Sequence, residues 1–253
     1  MTGALYAVVS GGLAAIERLE VAANNLANVG TSGFKAQFLR IRALDPDGIE
    51  TTGGFGTVVQ GADGTMPAVA FETVTDFSQG GVHESGNPLD VAITGPGFFV
   101  VNTAAGERYT RQGQFHLGAD GTLRTAGGDT VQGQNKQDLR LPPGAIEIDT
   151  AGGIHVDGVR AGALRLVRFA EVEHAVVPQG GGLFARTEDA VPASIDAAET
   201  ELVPKAIELS NVNAVEGLLE LIDVARGYEA YMRAMQQVDG TVETAIREVG
   251  GSS

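Results

Sequence analysis

Apolar residues spaced alternately four and three apart at both ends of the chain restrict its fold more than any other feature. Ala214, Leu218, Leu221, Ala225, Tyr228, Met232, Met235, Asp239, Val242, Ile246 and Val249 form a heptad seam with one polar layer, at Asp239. Leu5, Val8, Gly12, Ala15, Leu19, Ala22 and Leu26 repeat the rhythm near the N-terminus. Two such helices can pair with each other, so everything between them becomes an insertion. The expected fold class is α+β: long N- and C-terminal helices paired as a coiled-coil-like domain, with an inserted β-rich middle domain. The expected boundaries are a helical segment over 1–35, an extended connector over 36–70, a β-rich outer domain over 71–204 and a second helical segment over 205–253.

Each helix also carries a second apolar row, Val9, Leu13 and Ile16 on the first and Val215, Leu219 and Ile222 on the last. A two-helix pair buries one seam per helix, and each large side chain left in water costs about 1.5 to 3 kcal/mol. Neighbouring copies, or an inserted domain folding back, must therefore cover the second row. At about 1.5 Å per residue the C-terminal helix reaches roughly 50 Å, longer than a small domain is wide.

With 17 Lys and Arg against 32 Asp and Glu, the net charge is −15, which repels phosphate backbones and anionic lipid and argues against nucleic-acid partners. There is no Cys, hence no disulfide frame, thiol nucleophile or thiolate metal site. The N-terminal apolar run is broken by Gly11, Gly12, Glu17, Arg18 and Glu20, so neither a cleavable signal nor membrane insertion is expected. A route out of the cytoplasm would retain this N-terminus.

Thr2 is a suitable helix N-cap, with the first helix running to about Asn28 and Gly30 in the stop position. Gly11 and Gly12 each weaken a helix by about 1 kcal/mol against Ala, which close approach of another helix would offset. Asn24, Asn25 and Asn28 cluster on the last turns and suggest side-chain hydrogen bonds across a helix contact. Asn213 with Glu216 three residues on is a capping-box arrangement, and Glu229 with Arg233 is a favourable helix-surface pair. Between the helices the period changes to two: Leu139 and Leu141 flank Arg140, Ile146 and Ile148 flank Glu147, and Ile154 and Val156 flank His155. Asp-Gly pairs at Asp63, Asp120 and Asp157 predict tight turns. Gly97 to Val101, apolar on both faces, reads as a central strand, and Thr51 to Gly64 reads as a linker.

Four runs carry a family resemblance. ANNLANVGTSGF (Ala23 to Phe34), continued by FKAQ to Gln37, resembles the N-terminal signature of bacterial flagellar axial proteins, the rod and hook subunits. SNVNAVEGLLELIDVARGYEA (Ser210 to Ala230) is similar to their C-terminal signature. Between them, GNPLDVAITGPGFFVV (Gly86 to Val101) and RYTRQGQFHLGADGTL (Arg108 to Leu123) resemble the central motif of rod proteins. Length and the short Phe38 to Gly48 segment are most like the proximal rod members, with a distal rod or hook-type subunit as the alternative. The resemblance implies a structural subunit of the periplasm-spanning rod, exported through the flagellar type III channel. Its terminal helices would polymerise with self and other rod subunits into a torque-transmitting shaft. The expected assembly residues are Leu5, Val8, Gly12, Leu19, Asn24, Asn25, Leu26, Asn28, Asn211, Asn213, Leu218, Leu221, Tyr228, Met232 and Met235.

No catalytic residue, cofactor, metal or small-molecule substrate is expected. His83, His116, His155 and His174 are isolated, without ligand spacing. There is no Gly-x-Ser-x-Gly elbow or Walker loop, and Gly53, Gly54 and Gly56 lack a strand-then-helix frame. A carbohydrate-binding or cell-wall hydrolytic module is the reading from a different class, since two carboxylates suffice for a glycosidase. With 6% aromatic residues and no Trp the chain is poor in sugar platforms. A secreted adhesin would instead pack the terminal helices on its own β domain.

Overall fold

The computed structural model describes residues 2–44, 58–59, 68–195 and 200–250, with side chains over 11–41, 71–195 and 200–237. Most of the expected 36–70 connector and the Asp63 turn lie outside the described residues. So do the side chains of Leu5, Val8, Asp239, Val242, Ile246 and Val249.

In chain order the elements begin with α1 (Thr2–Ala27), β1 (Gln37–Leu44), β2 (Val58–Val59) and β3 (Ala68–Thr75). The middle carries β4 (Val82–Glu84), β5 (Val91–Thr94), β6 (Phe98–Thr103), β7 (Gly106–Thr110), β8 (Phe115–Leu117), β9 (Leu123–Thr125) and β10 (Thr130–Val131). It continues through β11 (Ile146–Ile148), β12 (Gly153–Val156), β13 (Val159–Ala163), β14 (Leu166–Arg168), the single-turn α2 (Val172–Ala175), β15 (Val176–Gly180), β16 (Leu183–Arg186) and β17 (Ala193–Ser194). β18 (Glu201–Pro204), β19 (Ala206–Glu208) and α3 (Ala214–Gly250) follow. Two compact units result: one from 1–27, 37–74 and 213–253, the other from 28–36 and 75–212.

The second unit is built around β6. Antiparallel β7 covers one edge of this strand, while β10 and β14 share the other, with Val131 opposite Val101 and Val167 opposite Phe98. Side chains alternate across a strand. Phe99 and Val101 therefore enter a cluster with Phe115, Leu123, Ile148 and Ile154, and Phe98 and Val100 enter another with Tyr109, Val167, Phe169 and Phe184. A strand buried on both faces must be apolar at every position, which is the pattern of Phe98 to Val101. At Asp157 and Gly158 both residues take positive φ, 50° and 79°, the geometry of a type I′ turn joining β12 to β13. Leu139 and Leu141 are buried as the alternation requires, yet they make no strand, and Arg140 has only an isolated bridge to Thr122.

The expected fold class is corrected here. Among the described residues helix is confined to three segments, one of them a single turn, and the nineteen strands make the middle of the chain mostly β-sheet. Nor do the terminal helices make the expected coiled-coil-like pair. On α3 the seam residues Leu218 and Met232 are 49% and 40% exposed, whereas Val224, outside that seam, is buried, as is Gly217. The face turned inward is rotated by about one residue. The cause is on α1, which presents Ala15 and Ala22 rather than large knobs, and Gly11, where an added Cβ would come 2.7 Å from the Tyr231 ring. Small residues let backbones approach closely, and a knobs-into-holes seam then has no holes of the right size. Helix α1 ends at Ala27, one residue before the expected Asn28, and Gly33 (φ 65°), not Gly30, takes the left-handed conformation beyond it.

A polar group ties β7 to the residue just before β14. Glu107 accepts from the Tyr109 hydroxyl at 2.7 Å and from Arg165 Nη1 at 2.7 Å. Burial raises the carboxyl's pKa, but the Tyr109 and Arg165 bonds outweigh it and hold Glu107 below its ordinary 4.5. A depressed carboxyl contributes stability above its unfolded value and loses it as pH falls through the folded one. Glu107→Gln should therefore destabilise the protein by about 1 to 2 kcal/mol at neutral pH. In urea unfolding, the gap to the wild type should close as pH is lowered below 4.5.

Candidate assembly site

The helical part of the site starts with what α1 and α3 leave uncovered. Between them, beside Ile41 of β1, lies a groove of about 460 Å³ floored by Gly11, Ala14, Ala15, Val224 and Gly227. Arg18, Glu220 and Asp223 stand on its rim, all exposed. On the other side of α3, Val215, Leu218, Leu219 and Ile222 are exposed to solvent. The row expected to need cover is thus uncovered within one copy.

The expected site residues divide in their placement. Leu19, Leu26, Leu221, Tyr228 and Met235 are half-buried, and Leu218 and Met232 are exposed. A Cβ on Gly12 would meet nothing within 4 Å, so the close approach falls to its neighbour Gly11. Asn25 clamps β1 to α1: its Nδ2 donates to the Gln37 carbonyl at 2.7 Å, and the Gln37 N–H donates to its Oδ1 at 2.8 Å. Asn24 Nδ2 donates to Gln37 Oε1 at 3.1 Å. The Asn28 side chain accepts from the Thr31 hydroxyl at 3.2 Å in the turn after α1. Asn213 caps α3 by accepting from the Val215 N–H at 3.0 Å, the second helical position rather than the third that a capping box uses. Glu229 and Arg233 stand 4.0 Å apart and exposed, a pair of little energetic weight.

In the second unit Asn211 and a buried charge cluster bind the segments on which the two terminal signatures fall. Asn211 Oδ1 accepts from the Ala36 N–H at 2.7 Å, and its Nδ2 donates to the Asp76 carbonyl at 3.0 Å. Lys35 Nζ donates to Glu208 Oε1 at 2.6 Å and to the Ser78 carbonyl at 2.7 Å, with both charged side chains fully buried. Arg111 Nη1 lies 3.5 Å from Glu208 Oε2, an ion pair without hydrogen-bond geometry. Arg111 Nη2 donates to the Gly95 carbonyl at 2.8 Å, and its guanidinium sits 5.5 Å from the Phe98 ring centroid. Burial lowers the pKa of Lys35 and of Arg111, and Glu208 opposes the shift in both. Glu208 also accepts from the Gly80 N–H at 3.1 Å, while its own carbonyl accepts from the Gly33 N–H at 2.7 Å. Gly33 is required: at φ 65° an added Cβ would come 2.5 Å from the Arg111 carbonyl carbon.

Sequence reasoning missed Lys35, Arg111 and Glu208. Lys35 and Arg111 lie inside the quoted signature runs, and Glu208 lies two residues before one. The only signal was a charged residue in a stretch otherwise suited to burial. His155, read as isolated, has its Nε2 3.1 Å from Asp149 Oδ2, and no group of three or more metal-ligating side chains is assembled among the described residues.

Residues 5–35 match the family described as flagella basal body rod protein. Residues 92–158 match the flagellar hook protein FlgE/F/G D1 domain, and 203–248 match the flagellar basal body rod FlgEFG protein C-terminal family. The chain is 30% identical over 255 residues to the flagellar basal-body rod protein FlgF of Salmonella typhimurium, covering 94% of this chain and 95% of that one. It belongs to the flagellar basal-body rod protein family. To the FlgF of Caulobacter vibrioides it is 29% identical, over 99% of both chains. To the rod protein FlgG of Agrobacterium fabrum it is 31% identical, over 87% of this chain and 89% of that one. The family is one of structural proteins of the flagellar basal body, and this chain is a FlgF-like structural rod subunit. All three matched segments send residues to the sites above: Asn25 and Lys35 from the first, Arg111 from the second, Glu208, Asn211 and Val224 from the third.

Removing the one anion of a buried cluster leaves two cations uncompensated, a change worth about 3 to 5 kcal/mol. Glu208→Ala should destabilise the β-rich unit by that amount in urea unfolding followed by far-ultraviolet circular dichroism. Lys35→Met, which leaves Glu208 beside Arg111, should lose clearly less.

Proposed function

We propose that the chain assembles with copies of itself and with other rod subunits through its terminal segments, forming part of the shaft that transmits torque across the periplasm. The observation that carries this reading is the exposed apolar row of α3, where Val215, Leu218, Leu219 and Ile222 stand in water within one copy. Fully burying such a side chain is worth about 1.5 to 3 kcal/mol, and at 40% to 68% exposure roughly half of that is left for a neighbouring subunit to gain. The helical segments within 1–35 and 205–253 supply these contacts. Leu5, Val8, Gly12, Leu19, Leu26, Leu221, Tyr228 and Met235 act there with Leu218 and Met232, while Asn24, Asn25, Asn28, Asn211 and Asn213 hold the helix ends in place. The β-rich segment 71–204 serves as the outer domain. In this reading the chain leaves the cytoplasm through the flagellar export channel.

The proximal part of the rod is the position we favour, because relatives named FlgF match over nearly the whole of both chains. A distal position is the second reading, supported by the likeness to proteins named FlgG. The net charge of −15 disfavours nucleic acid and anionic membranes as partners.

Leu218→Glu tests the reading. The residue is already 49% exposed, so the purified variant should keep its circular dichroism and melting temperature. Motility of cells carrying it as their sole copy should be lost. Normal swarming, with the variant present in isolated basal bodies, would sink the assembly role of this face.

A further inference from the structure

Helix α3 presents two unlike surfaces. Glu220, Asp223, Val224, Gly227 and Tyr231 recur at helical spacing and line the groove against α1. Val215, Leu219 and Ile222 recur at the same spacing on the roughly opposite side, as an exposed apolar ridge. A groove and a ridge on opposite sides of one helix cannot satisfy each other within a copy. If copies meet through them, the contact is head-to-tail and generates an open array rather than a closed dimer.

Charge follows the same division. Arg226 is exposed at the edge of the ridge, and Glu220 and Asp223 are exposed on the groove rim. None of the three has an ion-pair partner among the described residues. The rim also carries Arg18, so the groove is acidic by one net charge from these residues, Glu220 and Asp223 against Arg18. The floor of Gly11, Ala14, Ala15 and Gly227 leaves room for branched side chains from outside to reach helix backbone, as ridges enter grooves in helix packing.

We propose that the groove between α1 and α3 receives the α3 ridge of a second copy of this chain, with Leu219 and Ile222 on the small-residue floor and Arg226 facing Glu220 and Asp223. This rests on the rod-subunit reading and names its contact: copy to copy, heterologous, and fixed in register by opposite charge.

The chain has no cysteine, so a directed disulfide can report this contact without background. Ala14→Cys and Ile222→Cys, combined in one full-length chain and supplied as the only copy, should give a ladder of dimers, trimers and higher multimers when isolated basal bodies are oxidised. Neither single variant should form a ladder. Dimers from Ile222→Cys alone would mean a two-fold contact and overturn the proposal, as would no ladder from a double variant that is present in basal bodies. In both cases the rod reading survives. Absence of even the wild-type chain from basal bodies would overturn that reading instead. A second arm needs no crosslink: Arg226→Glu, and Glu220→Lys with Asp223→Lys, should each abolish swarming, and all three in one chain should restore it. Failure of the combination to restore swarming, with the chain present in basal bodies, also overturns the proposal.

Discussion

Burying a carboxylate and two cations in a β-rich interior is tolerable only if each is held by the others and by backbone dipoles, and the second unit is arranged to do that around Glu208. Lys35 reaches it from the loop after α1, Arg111 from the chain just beyond β7, and Glu208 itself ends β19. The Ser78 carbonyl and the Gly80 N–H complete the enclosure. Close backbone approach at Gly33 is the geometric condition for bringing the first of these segments near the second. A hydrophobic cluster in the same place could match it for stability. It would not specify in the same way which three segments meet, because oil packs against oil in many registers whereas one anion fits between these two cations in few.

The helical unit solves a different problem with opposite means. The inward residues of α1 are small, with Gly11 against the Tyr231 ring and Ala15 and Ala22 buried, so little of the apolar surface is consumed in holding the two helices together. The larger residues Val215, Leu218, Leu219 and Ile222 remain outside. A monomeric protein would be poorly served by that distribution; a subunit that completes its burial only among neighbours is well served by it. A net charge of −15 opposes non-specific association.

How far the sequence could be read depends on the range of the interaction concerned. Asn213 as a helix cap, the tight turn at Asp157 and the doubly buried strand at Phe98 to Val101 are each decided by a few adjacent residues, and all were legible. The seam on α3 was displaced by about one residue, because helical spacing shows that an apolar face exists but the partner's side-chain sizes decide which row turns inward. The coiled-coil-like pairing failed for that reason, and individual strands between the helices are hard to place from sequence because many are only two to four residues long, too short for alternation to register. Gly12 and Gly11 cannot be distinguished by sequence. Only the position of Tyr231, more than two hundred residues away, does so.

By itself the sequence determined the local elements and, through its four signature runs, the kind of protein this is, since those depend on residue order along the chain. Tertiary structure alone decided that Lys35 and Glu208, 173 residues apart, would share a buried bond, and which face of α3 would remain in water. Both outcomes are set by which distant surfaces come within a few ångströms of each other. Coulomb attraction and close packing act only at that separation, and a linear pattern does not record it.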